Sequence, residues 1–166
     1  MPEATLAELR IDEATWSSGS PARKHEWRLA ASEVVQEGVF ELRVGASGPL
    51  RGELALDGER ARFVIATASE TIADEALPLS ELRPLADEYM RVCAEMGKLG
   101  EGANSPKLEA LDIAKRLVHD EAGEAMRALL RAAKPDHATA RRLFTLLVTL
   151  LYDTTELAAP PHPVRS

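Results

Sequence analysis

Two clusters of histidine and carboxylate side chains have the clearest chemical potential in this sequence. They are His25-Glu26 and His119-Asp120-Glu121. An imidazole and a carboxylate brought together from two helices could bind a divalent metal ion or act as an acid–base pair. Neighbouring residues of a helix point about 100° apart, so neither cluster is a chelate by itself. His25, Glu26, His119 and Glu121 are therefore candidate catalytic residues. We favour the alternative, in which each histidine caps or hydrogen-bonds a neighbouring helix and each glutamate pairs with an arginine.

An arginine pair near the start of a predicted helix is the second candidate site. Arg141 and Arg142 could bind a small anion, because guanidinium groups and the free N–H groups of a helix N-terminus both favour negative charge. We favour instead that they pair with acidic residues such as Asp112 or Glu121. Asp112 and Arg116 have the i,i+4 spacing of an ordinary helix ion pair.

The composition argues against several function classes. A net charge of −7 and a content of three Phe, two Tyr and two Trp disfavour nucleic-acid or anionic-membrane binding. The sequence has no glycine-rich phosphate loop, GxSxG, CxxC or HExxH motif, which lowers the expectation of an enzyme and gives no reason to expect a cofactor. His137 and His162 are not expected to be ligands. The single cysteine, Cys93, is predicted to be a buried thiol.

The start of the chain, MPEATLAELRIDE, has neither the basic nor the apolar region of a signal peptide, so we expect a cytoplasmic protein.

The helix predicted over Asp136–Asp153 is the element around which these candidates must be arranged. It starts with an acidic N-cap after Pro135, and the run Leu143–Tyr152 is apolar on every side. A helix that is apolar all round must be enclosed by protein or lipid. The run is too short to cross a bilayer, which needs about 20 apolar residues. The sequence therefore predicts a central, buried helix in a soluble domain.

Alternating hydrophobicity in the N-terminal half predicts a small antiparallel sheet. Residues 39–44, 50–56 and 61–68 alternate, and Asp57-Gly58 is a strong hairpin signal, so these segments predict a three-stranded meander. The run TLAELRID (5–12) is a possible fourth strand at an edge. One polar face of this sheet would stay in contact with water or receive a partner.

Helical spacing is found in three further segments. Ser20-Pro21 predicts the start of a helix that Gly38 ends. After Glu70 the chain is predicted to turn helical, with an apolar stripe at spacings of three and four from Leu82 to Met96. A last helix begins after Ser105-Pro106 and is predicted to bend or restart at 119–123. We expect residues 1–153 to form one α+β domain and residues 154–166 a proline-rich flexible tail.

These residues resemble the bacterial uncharacterised protein family 0262. TARRLFTL (139–146) is similar to its C-terminal helix motif, LEALDIAKRLVHDEA (108–122) to its preceding segment, and LPLSELRPLADEYMRVCAEM (77–96) to its middle helix. His25-Glu26 resembles a His-Glu pair in its first helix. The chain departs from the family pattern in a longer linker at 97–106, in its proline-rich extension, and in Asp120-Glu121-Ala122, where the family tends to have Asn-Glu-Gly. The resemblance implies an α+β fold and a bacterial cytoplasmic setting, but no activity, because the family has none assigned.

Three functions are compatible with the sequence. The favoured one is a non-enzymatic interaction or regulatory protein, a homodimer using an open sheet edge or an exposed helix face. The second is a metal-dependent or acid–base enzyme that uses the four His and Glu candidates. The third is a small-anion sensor at the arginine pair. We expect a protein partner or self-association, and neither nucleic acid nor a membrane as a partner; the sequence leaves any small-molecule ligand open.

Overall fold

The structure is a computed structural model that describes residues 3–42, 48–99, 105–155 and 157. It confirms the α+β class and contains five helices and six strands in these residues. In chain order they are β1 (Glu3–Ala4), β2 (Glu8–Ile11), α1 (Glu13–Ser17), α2 (Pro21–Glu37), β3 (Phe40–Glu41), β4 (Arg51–Asp57), β5 (Arg60–Ala66), β6 (Thr71–Pro78), α3 (Leu79–Leu99), α4 (Pro106–Leu129) and α5 (His137–Leu151).

The main sheet has the strand order β2-β4-β5-β6. The three-stranded antiparallel meander consists of β4, β5 and β6. The prediction was wrong in taking residues 39–44 as its first strand and in expecting a helix where β6 lies. Ala73 and Leu77 of β6 point into the core, and Glu75 between them also points inward. Its carboxylate accepts hydrogen bonds from the backbone N–H groups of Ala132 (2.6 Å) and Ala133 (3.1 Å). Because a charged residue stands at an inward-facing position, the alternation of apolar and polar residues expected for a strand is interrupted in the sequence.

The predicted edge strand is confirmed as β2, but it runs parallel to β4, so the sheet is mixed rather than antiparallel. The predicted strand 39–44 is reduced to β3, which pairs with β1 in a separate two-stranded sheet. Residues 43–47 lie outside the described part of the chain. Along β2, Leu9 and Ile11 turn toward the core, while Glu8 and Arg10 are exposed on the outer face of the sheet.

Helix α5 is the centre of the helical half, as predicted. Asp136 caps it by accepting a hydrogen bond from the N–H of Thr139 (2.8 Å). Its apolar residues are buried from Leu143 to Leu150 because α2 and α4 pack on two of its sides and the sheet lies beneath it. An apolar layer between sheet and helices is formed by Leu54, Phe63, Leu77, Met126, Leu130, Leu143 and Leu147.

Helices α3 and α4 differ from the sequence prediction in detail. Helix α3 follows β6 directly at Leu79, where the backbone N–H bonds the carbonyl of Glu59 (2.9 Å). Helix α4 continues through the predicted break at 119–123 as one helix. Gly123 does not interrupt it, and a Cβ there would lie 2.8 Å from Cγ of Arg141 and 2.9 Å from Cε1 of His137. The glycine therefore permits close packing of α4 on α5.

Packed structure continues past Asp153. Thr154 is fully buried and donates a hydrogen bond to the carboxylate of Glu26 on α2. Leu157 packs against the core. Residues 156 and 158–166 lie outside the described part of the chain, so the flexible tail stays a prediction. Among the described residues, no helix combines the length and apolar character needed to cross a membrane.

Candidate functional site

The first histidine cluster does not form a cavity with the second. His25 is exposed on α2, while Glu26, the next residue, is buried with only 8% of its surface exposed. The carboxylate of Glu26 accepts the hydroxyl hydrogen of Thr154, just beyond the C-terminal end of α5. This contact joins α2 to the segment that follows α5.

His119 lies half-buried between α4 and α5, near the other end of α5. Its Nε2 is 3.1 Å from the carbonyl oxygen of Arg141 and 3.0 Å from the hydroxyl of Thr145, and its Nδ1 is 3.2 Å from a guanidinium nitrogen of Arg141. A neutral ring with its proton on Nε2 satisfies this arrangement, because Nε2–H donates to the carbonyl and Nδ1 accepts from the guanidinium. Burial lowers the pKa of His119 from 6.5 to about 4, and the charge of Arg141 acts in the same direction.

Aromatic packing holds the His119 ring in place. The ring centroid is 5.2 Å from that of Tyr89 on α3 and 6.2 Å from that of Phe144 on α5. Burial raises the pKa of the Tyr89 phenol and of the Cys93 thiol, which is buried as predicted. A thiol in this setting is not activated as a nucleophile. His119 thus joins three helices.

The four His and Glu candidates are not brought together. Glu26 contacts the region beyond the C-terminal end of α5, His119 contacts its N-terminal half, and Glu121 is exposed. In the part of the chain that the structure describes, no group of three or more His, Cys, Asp or Glu residues is arranged to hold a metal ion. The contacts present are those of the structural alternative for His119, which hydrogen-bonds a neighbouring helix.

Arg141 and Arg142 lie in different environments. Arg141 lies 3.5 Å from a carboxylate oxygen of Asp120, not beside Asp112 or Glu121 as suggested from the sequence. Its Nε is buried and has no hydrogen-bond partner in the described residues. Arg142, the next residue, is half-buried on α5. One guanidinium of the predicted anion site is thus bound to a histidine and a carboxylate of its own chain. The Asp112–Arg116 ion pair is confirmed, at 2.7 Å.

A ladder of polar contacts extends from Arg141 to the surface between α4 and α5. His137 lies 3.4 Å from the carboxylate of Asp120 and 2.9 Å from that of Glu124, and Glu124 lies 3.7 Å from Arg127. The spacing of Asp120 and Glu124 places both carboxylates on one face of α4, where they meet His137 of α5. These contacts connect α4 to α5 at the surface.

An open groove lies between β2 and α2, which the sequence did not predict. It has a volume of about 720 Å³, within the usual range for ligand sites. Its lining combines aliphatic and aromatic side chains with charged ones at the rim: Glu8, Leu9, Arg10, Ile11, Glu13, Trp16, Trp27, Arg28, Ala31, Ser32, Val35 and Gln36. One wall is an edge of β2 that pairs with no other strand of the described residues, while the opposite edge of β2 pairs with β4.

Both tryptophans of the chain line this groove. Trp27 is buried and donates from its indole N–H to the carbonyl of Thr149 (2.8 Å). Trp16 is half-exposed, 6.0 Å from Trp27 between ring centroids, and the guanidinium of Arg28 lies over its ring at 5.2 Å. The two indoles give the groove an apolar floor, with the Arg28 guanidinium stacked over Trp16. The signal available in the sequence was the position of Trp16, four residues after the predicted edge strand.

Comparison with known proteins gives the family of the chain. The model of a family described as "Uncharacterised protein family (UPF0262)" matches residues 3–152. The chain belongs to UPF0262. A UPF0262 protein of Methylobacterium radiotolerans is 32% identical over 147 residues, which cover 87% of this chain and 91% of the relative. UPF0262 proteins of Brucella anthropi and Brucella abortus are 31% and 32% identical, each over 90% of this chain and 95% of the relative. No solved structure matches the chain.

Proposed function

We propose that this UPF0262 member is a non-enzymatic, cytoplasmic interaction protein that binds an extended polypeptide segment in the groove between β2 and α2. The observation that carries the proposal is a backbone edge of β2 that has no strand partner in the described part of the chain and lies beside an open groove with a tryptophan floor. An exposed strand edge presents alternate N–H and C=O groups that an added strand can pair with. The wide separation of the histidine clusters weighs against the enzyme alternative.

The groove selects for a particular pattern in the bound segment. Side chains of an added strand alternate between the two faces of the sheet. Those on the inner face would contact Leu9, Ile11 and the tryptophans, while those on the outer face would lie beside Glu8 and Arg10. The preferred segment therefore alternates apolar with charged residues.

A displayed library of random short peptides tests this proposal. The protein is immobilised at low density, and selected peptides are titrated while tryptophan fluorescence is recorded, because every indole of the chain lies in the groove. Ser32→Tyr places a bulky side chain in the groove, and Ala22→Tyr makes a similar change at an exposed α2 position outside it. Selection of alternating peptides that bind wild type and Ala22→Tyr but not Ser32→Tyr is expected. Peptides that bind all three proteins equally, or an absence of selected peptides, would refute the proposal.

A further inference from the structure

The strand that fits the β2 edge best is β2 of another copy of this chain. The sequence of β2, Glu8-Leu9-Arg10-Ile11, itself alternates charged with apolar residues. A twofold axis at Leu9 would place two β2 strands antiparallel, with Leu9 opposite the same residue of the second copy. Glu8 of each copy would then lie opposite Arg10 of the other. Residues directly opposite in an antiparallel pair lie on the same face, so both ion pairs would form on the outer surface of the sheet.

Charge selects this register over its neighbours. Registers that keep the apolar side chains on the inner face differ by two residues. A shift in one direction places Arg10 opposite Arg10 and Glu8 opposite Asp12, whereas a shift in the other direction places Glu8 opposite Glu8. Like charges directly opposite are destabilising. Only the register centred on Leu9 brings opposite charges together at both positions.

The neighbouring strand continues the same charge pattern. In the parallel pairing of β2 with β4, Glu8 is in register with Arg51, to which it is bonded at 3.6 Å, and Arg10 is in register with Glu53. No ion pair of Arg10 is present in the described structure, so its guanidinium is available to a second partner. Across two joined copies, the outer face would carry Arg51, Glu8, then Arg10 and Glu53 of the second copy, with charges of alternating sign.

The helix beside the edge leaves room for a second copy. Antiparallel pairing of two β2 strands in one continuous sheet puts both α2 helices on the same face. The groove side of α2 carries the small or short side chains of Ala31, Ser32 and Val35 beside the longer ones of Trp27, Arg28 and Gln36. Small side chains allow two helices to approach closely. The second copy can therefore cover the tryptophan floor as well as the strand edge.

We infer that two copies of this chain form a twofold dimer by antiparallel pairing of β2 with β2, which joins two four-stranded sheets into one. This inference rests on the proposed function, since it names the occupant of the same groove. The interface is isologous, as a closed dimer requires.

The pairing register centred on Leu9 is tested by reversing the charge at Glu8 or at Arg10 and then mixing the two variants. Glu8→Arg alone places Arg opposite Arg10, and Arg10→Glu alone places Glu opposite Glu8, so each variant is expected to dimerise at least about tenfold more weakly than wild type. An equimolar mixture of the two variants restores opposite charges at every pair and should form a heterodimer. The double variant carrying both changes should recover the homodimer. Arg60→Glu, an exposed reversal of the same sign on β5, is the control and should dimerise like wild type.

Sedimentation equilibrium over a range of concentrations gives the dissociation constants, and circular dichroism confirms that each variant is folded. A monomeric wild type, or single variants that dimerise as tightly as wild type, would overturn the inference. So would a mixture or a double variant that stays monomeric. These outcomes are distinct from failure of the proposed function, which is decided by the peptide selection and its Ser32→Tyr comparison.

Discussion

Acidification should destabilise the fold through His119, because this side chain is held neutral between α4 and α5. The pKa of His119 is about 4 in the folded protein, whereas the ordinary pKa of histidine, which applies to the unfolded chain, is 6.5. Between these two values the unfolded chain binds a proton at His119 that the folded chain does not. The contribution of His119 to stability is therefore complete above about pH 6.5 and is lost as the pH falls toward 4. The full loss is about 3 kcal/mol, of which about 2 kcal/mol falls between roughly pH 7 and pH 5.

A matched variant isolates this contribution from that of other titrating groups. In His119→Gln, the side-chain amide can still donate to the carbonyl of Arg141 but no longer accepts from its guanidinium, so we expect a loss of about 1 kcal/mol at neutral pH. The variant has no group at this position that titrates between pH 4 and 7. Between roughly pH 7 and pH 5, the free energy of unfolding of the variant should therefore fall by about 2 kcal/mol less than that of wild type.

Urea unfolding at a series of pH values measures both free energies, and NMR titration of the imidazole measures the pKa of His119 directly. The reasoning is wrong if His119 becomes protonated near pH 6.5 in the folded protein. It is equally wrong if wild type and His119→Gln lose stability in parallel as the pH falls.

Three further substitutions test other contacts by urea unfolding at neutral pH. Gly123→Ala should destabilise by about 1 kcal/mol despite its better helix propensity, because its Cβ would lie 2.8 Å from Arg141; an increase in stability would contradict the close packing of α4 on α5. Glu75→Ala should cost about 1–2 kcal/mol, because the part-buried backbone N–H groups of Ala132 and Ala133 lose their acceptor. An unchanged unfolding midpoint would mean that these two hydrogen bonds contribute nothing to stability. Trp27→Phe should cost about 2–3 kcal/mol through the lost bond to Thr149 and the reduced volume; a neutral effect would show that the groove floor is not anchored by the indole.

The helices with local start and stop signals could be predicted from the sequence. Ser20-Pro21 and Asp136 act as predicted at the starts of α2 and α5, because capping depends on residues within one turn of the helix end. Strand β6 could not be recognised in this way. Its inward-facing Glu75 is satisfied by Ala132 and Ala133, which are far away in sequence, and such a tertiary partner leaves no local pattern.

The candidate site shows the same division between local and tertiary information. The sequence singled out His119 as a candidate residue, but its partners Arg141 and Thr145 lie on another helix and could not be identified from the sequence. The groove was missed because three separate elements form it. The contact between Trp16 and Trp27 depends on how α1 packs on α2, and no local sequence pattern indicates that packing.

A cross-link at Leu9 tests most directly whether the β2 edge is the binding surface and a second copy its occupant. Antiparallel pairing centred on Leu9 places the two Cβ atoms about 4.5–5.5 Å apart, so an approach of about 1 Å brings them to the Cβ separation of a disulfide, about 3.5–4.5 Å. Leu9→Cys is therefore expected to form a disulfide-linked dimer on mild oxidation, while Cys93 is buried and does not react. Ala76→Cys, at an exposed position on the opposite edge strand β6, serves as the control. Rapid and complete cross-linking at position 9 alone would support the account; cross-linking no faster than at position 76 would contradict it.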